Sequence, residues 1–233
     1  MGFKRNLRAV EIVEQVLLWT RWLKKKNNRV SNLVFMGMGE PFLNYDHVLA
    51  AIRILNDKDG LNIGARHISL SSVGVPGGFK KLAQEPLQLN LAWSLHAPND
   101  KLRVKIIPAN RKYPLTTAVA ELNYYLKQTG RRVMVEYLMI DGLNDSRKQA
   151  LELAELLKQI QPPLFFVNLI AYNPTAGFKL ACLAGGPSPA KTIFDFKKIL
   201  REQKIDVTER SRFGQDIKAA CGQLVINPPS KGG

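Results

Sequence analysis

Six short apolar runs, each followed by a stretch in which apolar residues return every three or four positions, restrict what this chain can fold into. The runs are residues 33–36, 67–72, 89–96, 132–140, 165–170 and 205–208. Strands that are apolar at nearly every position are covered on both faces, and alternation of strand with helix supplies that cover through parallel crossovers. Helical stripes are formed by Val48, Ala51, Ile52 and Leu55, by Leu115, Ala118, Val119, Leu122 and Leu126, by Leu153, Leu156, Leu157 and Ile160, and by Ile193, Phe196 and Leu200. Ahead of the first strand, Ala9, Ile12, Val13, Val16, Trp19, Thr20 and Leu23 predict an amphipathic helix ending in Lys24-Lys25-Lys26-Asn27-Asn28. Cations suit a helix C-terminus, and asparagine supplies a left-handed exit. Asn44 or Asp46 is the expected cap of the helix at 48–55, Gly130 and Pro162-Pro163 the expected stops of the next two long helices, and Ser188-Pro189 the cap of the last. Residues between His96 and Leu115 read as a longer connection, and 175–187 as the longest loop. An open doubly wound sheet and a barrel both satisfy this alternation. No linker-like stretch interrupts it, so 1–233 reads as a single domain.

The polar residues are distributed unevenly around these strands. Glycine, serine, histidine, asparagine and glutamate gather after them, while the connections leading into them are mostly Lys, Arg, Gln and Pro. The first strand empties into Gly37-Met38-Gly39-Glu40-Pro41, where two glycines let the backbone pass close to a ligand, Pro41 fixes the exit, and Glu40 is the ionisable group of the turn. In a βα barrel, reactive groups lie at the C-terminal strand ends, which would bring Glu40, Ser71, His96 and Asn173 to one mouth. Taken singly, each is an ordinary turn former, cap or hydrogen-bonded strand-end residue.

Bulk composition narrows the partners. Thirty-four Lys and Arg against nineteen Asp and Glu give a net charge of +15, which favours a polyanion. Lys4, Arg5, Arg111, Lys112, Arg131, Arg132, Arg210 and Arg212 are the expected phosphate contacts. No apolar run approaches a membrane span and no signal-peptide pattern opens the chain, so a cytoplasmic location without membrane contact is expected. Two cysteines, Cys182 and Cys221, make neither a disulfide framework nor a four-ligand metal site, and no metal-ligand set is expected in the chain.

Gly37-Met38-Gly39-Glu40-Pro41, Leu70-Ser71, Ser94-Leu95-His96-Ala97-Pro98-Asn99-Asp100, Tyr172-Asn173-Pro174 and Asp216-Ile217-Lys218-Ala219-Ala220-Cys221-Gly222-Gln223-Leu224 together carry a resemblance. The sequence resembles the radical S-adenosylmethionine methyltransferases that modify carbon 2 of an adenine in 23S ribosomal RNA and in some transfer RNAs, the RlmN type, with the Cfr enzymes as relatives. The match runs in order from Gly2-Phe3-Lys4-Arg5-Asn6-Leu7 to Leu224. The resemblance implies a partial (β/α) barrel of the radical type, an α/β fold with a parallel sheet and outer helices. It also implies that Gly39 and Glu40 hold the amino group of S-adenosylmethionine, and that Ser71, Ser94, Leu95, His96 and Asn173 line the rest of that cofactor. Cys221 then matches the cysteine that becomes S-methylated and delivers its one-carbon unit to adenine. A thiolate is nucleophilic enough to take a methyl group from a sulfonium at neutral pH, whereas the aromatic carbon is not.

The same resemblance implies a 4Fe-4S cluster, an RNA substrate and an electron donor such as flavodoxin. The family's Cys-x-x-x-Cys-x-x-Cys motif is absent from this sequence, and with it the strand that carries the motif. Cys182 matches no family cysteine. Two thiols do not replace three closely spaced ones, so the chain alone is expected to lack the radical step. The competing expectations are an RNA-binding remnant without catalysis and an enzyme acting on carbon 8 of adenine.

Overall fold

The computed structural model describes residues 3–173 and 186–210. Its strands are β1 (Leu33–Phe35), β2 (Ile68–Ser72), β3 (Asn90–Ser94), β4 (Val133–Met139), β5 (Phe165–Ala171) and β6 (Val207–Glu209). The helices are α1 (Ala9–Lys24), α2 (Tyr45–Asn56), α3 (Gly78–Ala83), α4 (Asp100–Ile106), α5 (Leu115–Thr129), α6 (Arg147–Leu157) and α7 (Ala190–Glu202). Strand order in the sheet equals chain order, β1-β2-β3-β4-β5-β6, and the sheet is parallel. Crossovers between parallel strands are right-handed, so an order that never reverses sends every helix to the same face, whereas double winding needs a reversal. Of the two architectures open to the sequence, this order selects the partial barrel, and the sheet is open between β1 and β6.

The chain divides into two compact units, one containing the residues up to Ser72 together with Glu85–Leu91, the other Val73–Gln84 and the residues from Ala92 onward. In the first, α1 packs against α2, whose buried stripe is Val48, Leu49, Ala51, Ile52 and Leu55. The left-handed exit expected after α1 is present at Asn27, with φ 53°. The apolar stripe of α1 is less buried than its periodicity suggests. Of that stripe only Ile12 is buried, while Trp19 is 56% exposed and stands edge-to-face with Trp22 at 5.5 Å. Asn44 occupies the N-cap position of α2 without capping it, because its amide donates to Leu7 O at 2.9 Å instead.

In the second unit Phe79, Trp93, Tyr125, Tyr137 and Phe196 are fully buried, with the Tyr137 and Phe196 rings 5.4 Å apart. Gly130 stops α5 in the left-handed conformation, as the sequence leads one to expect. The helix α6 begins with a reciprocal cap between Ser146 and Gln149 and ends at Leu157, well before Pro162. The early stop has a cause on α5. Asn123 donates to Gln159 O at 3.0 Å and accepts from Gln161 N at 2.8 Å, satisfying backbone groups that a longer helix would have used. Ser188 does not cap α7. Its hydroxyl donates to Asp145 Oδ2 at 2.7 Å, leaving Pro189 at the cap position. The connection after His96 is also more ordered than expected, since Asn99 Oδ1 accepts from Leu102 N at 2.9 Å and so starts α4.

Candidate functional site

In the first unit the turn after β1 has Gly37 at φ 107° and Gly39 at φ 80°, and a Cβ at either position would meet nothing within 4 Å. These glycines therefore serve the backbone path and leave its flank open to a ligand; any other residue here would be strained. Glu40, half-buried, accepts from Phe42 N at 3.1 Å and caps the 3-10 turn Pro41–Asn44. That turn packs on β2. Phe35 and Leu70 are register partners, so the chain leaves β1 toward Glu40 beside the end of β2, where Ser71 is buried.

In the second unit Ser94 closes β3, and the chain turns sharply at His96, which has φ 60°. Leu95 N and His96 N both donate to Glu136 O, at 3.1 and 3.2 Å, tying this turn to β4. Leu138 N donates to His96 Nδ1 at 3.1 Å. A backbone N–H can only donate, so Nδ1 carries the lone pair and the ring proton sits on Nε2. Burial, and secondarily the positive charge of Arg103, lower the His96 pKa to about 3. The ring is a neutral hydrogen-bonding group at physiological pH. Between about 6.5 and about 3 the unfolded chain protonates His96 while the folded chain does not, so stability drains away as pH falls through that window. His96→Gln should flatten the decline of Tm between about pH 7 and about pH 5, and parallel declines in the two proteins would refute the assignment.

Two side chains that sequence reasoning passed over hold this strand end in place. Arg103 on α4 is fully buried and donates to Ser94 O at 2.8 Å, Leu95 O at 2.8 Å, Val73 O at 2.6 Å and Asn110 Oδ1 at 2.6 Å. Burial lowers its pKa to about 10, which leaves it charged at neutral pH. Asn144, also fully buried, donates to His96 O at 2.8 Å and to Leu138 O at 2.5 Å and accepts from Ile140 N at 2.8 Å. Asn173 follows β5 and is half-buried, and the neighbouring Tyr172 N donates to Met139 O at 3.1 Å.

A polar row crosses the same unit. Glu136 pairs in register with Asn168, and Asn168 with Thr208, whose hydroxyl donates to Asn168 Oδ1 at 3.1 Å. Arg210 Nη1 stands 3.8 Å from Glu136 Oε1. One polar residue in the middle of each of two otherwise apolar strands was the available signal.

Residues 3–154 match the radical SAM superfamily. The chain belongs to that superfamily. As a member of it, the chain is 47% identical over 224 residues to the "Probable dual-specificity RNA methyltransferase RlmN" of Dictyoglomus thermophilum, covering 96% of this chain and 62% of the relative. It is 44% identical over 225 residues to the "Ribosomal RNA large subunit methyltransferase N" of Nitrosopumilus maritimus, covering 96% and 61%. The crystal structure of a radical SAM methyltransferase from Sphaerobacter thermophilus superposes with a TM-score of 0.89 at 45% identity, over 96% of this chain and 63% of that one. This radical SAM chain thus spans about three fifths of the length of its curated relatives.

The superfamily implies two groups, S-adenosylmethionine and a 4Fe-4S cluster. The first fits the residues in kind: an open glycine flank next to a carboxylate in one unit, and in the other a neutral imidazole two residues after Ser94. The second finds no thiolate ligand among the described residues. The sequence holds two cysteines, Cys182 and Cys221, both outside the described residues, and a cluster takes three or four thiolates. No group of three or more His, Cys, Asp or Glu side chains is placed to hold a metal among the described residues. Among those residues, too, no helix is long and apolar enough to cross a membrane.

Proposed function

We propose that this chain is the cofactor-binding and substrate-facing part of an RNA methyltransferase acting on carbon 2 of adenine in 23S ribosomal RNA and transfer RNA, in the cytoplasm. The observation that carries this reading is the match over 96% of the chain to relatives named as RNA methyltransferases. Gly39 and Glu40 hold the amino group of S-adenosylmethionine. The carboxylate of Glu40 accepts from the ammonium, a charge-assisted contact stronger than a neutral one. Ser71, Ser94, Leu95, His96 and Asn173 line the rest of that cofactor, with His96 able to donate from Nε2. When bound, S-adenosylmethionine supplies the methyl group. Cys221 is the nucleophile that accepts a methyl group and presents it to the base.

Calorimetric titration of S-adenosylmethionine into the full chain tests this reading. Glu40→Gln keeps an acceptor for Phe42 N, so the turn persists while the charge is lost. Removing a charged hydrogen bond should weaken binding by about ten- to a hundredfold. Equal affinity in the two proteins, or no binding by the wild type, would sink the assignment. The count of two cysteines favours a second reading, an RNA-binding protein without the radical step. It keeps RNA affinity and gives no methylated nucleoside under reducing conditions.

A further inference from the structure

At the opposite end of the second unit's strands lies a groove of about 770 Å³, lined by Arg132, Phe166, Arg201, Lys204, Asp206 and Thr208 among others. Arg132 immediately precedes β4, Phe166 is the second residue of β5, and Lys204 and Asp206 lead into β6. The groove is therefore at the N-terminal strand ends. It is separated from Ser94, His96 and Asn173 by the length of β4, about 23 Å for seven residues at the usual strand rise.

Its charge is not balanced. Three cations face one carboxylate, and that carboxylate, Asp206, is already paired with Arg132. Arg201 and Lys204 make no ion pair among the described residues. The Arg132 guanidinium lies 4.8 Å over the Phe166 ring and donates to Phe165 O, which fixes a flat cation on the lining that Arg201 and Lys204 share. The placement of Lys204 is the second observation. It takes φ 59° two residues after α7 ends, a left-handed position where glycine is the favoured residue and a lysine is strained. The left-handed turn closes α7, with Lys204 N donating to Arg201 O at 2.9 Å and Ile205 N to Leu200 O at 3.0 Å, and it leaves the exposed Lys204 on the lining of the groove.

We infer that this groove binds the phosphate backbone of the RNA, on the far end of the sheet from the methyl-transfer end. The inference rests on the RNA methyltransferase reading and adds where the polyanion is held. Arg201 and Lys204 each neutralise a phosphate, and the planar Arg132 on Phe166 offers a stacking surface to a base leaving that backbone. Several nucleotides of the strand that enters the catalytic end run along the unit to reach it.

The test uses the full chain, a fluorescein-labelled RNA hairpin with adenine in its loop, and the double variant Arg201→Gln, Lys204→Gly. Glycine at 204 relieves the backbone strain, so the variant should keep a Tm at least equal to that of the wild type and an unchanged affinity for S-adenosylmethionine. Its RNA affinity at low salt should fall by about tenfold, and the slope of log K against log salt should become shallower by about 1.4, two single-strand phosphate contacts' worth. A variant that binds RNA with wild-type affinity and slope overturns the groove while leaving the enzyme reading intact. A wild-type chain that binds no RNA at all overturns both.

Discussion

Arg103→Met should lower stability by about 4 kcal/mol, because breaking a buried charge out of its network costs about 3–5 kcal/mol. The fully buried guanidinium serves the carbonyls of Val73, Ser94 and Leu95 together with the Asn110 side chain. Methionine follows the aliphatic stem but removes the guanidinium donors that these four acceptors share. In thermal unfolding the loss corresponds to about 10 °C in a chain of this size. Arg103→Lys is the informative companion. An ammonium keeps the charge but lacks the planar fork that reaches the strand-end carbonyls together, so it should recover only part of the loss. A methionine variant within about 1 kcal/mol of wild type would show that the carbonyls find other donors.

Asn144→Leu should be the next most damaging change, at about 3 kcal/mol, since Ile140 N, Leu138 O and His96 O all lose their partner. Leucine matches the amide in size, so the cost is polar and not steric. The midpoint of urea unfolding reads it. The variant should also weaken S-adenosylmethionine binding more than an equally destabilising core change such as Leu153→Ala, because Asn144 is what fastens the left-handed turn at His96 to β4. Equal binding by the two variants would reduce Asn144 to a purely structural role.

Strand–helix alternation was legible because burial on both faces writes itself into the strands as unbroken apolar runs, and Gly130 and Asn27 were legible because left-handed exits demand particular residues. What failed were the cap and stop assignments that depended on a partner distant in sequence. Asn44 and Ser188 have the right chemistry for caps, yet Leu7 O and Asp145 compete for their side chains and win. The stop of α6 depends on Asn123, a residue on another helix. The helix α4 was hidden because Lys101, Arg103 and Lys105 make it look like a solvated connection, when Arg103 in fact points inward. The strand-end residues Glu40, Ser71, Ser94, His96 and Asn173 were nominated through motifs, whereas Arg103 and Asn144, which act on backbone groups, leave no motif. Cys221 lies outside the described residues.

The chain on either side of residues 174–185 is tied to one strand end: Tyr172 N donates to Met139 O at 3.1 Å, Asp141 N donates to Gly186 O at 3.0 Å, and Pro187 bridges to Ile140. These are backbone contacts, so the end of β4 stays fastened whichever non-proline residue stands at 172.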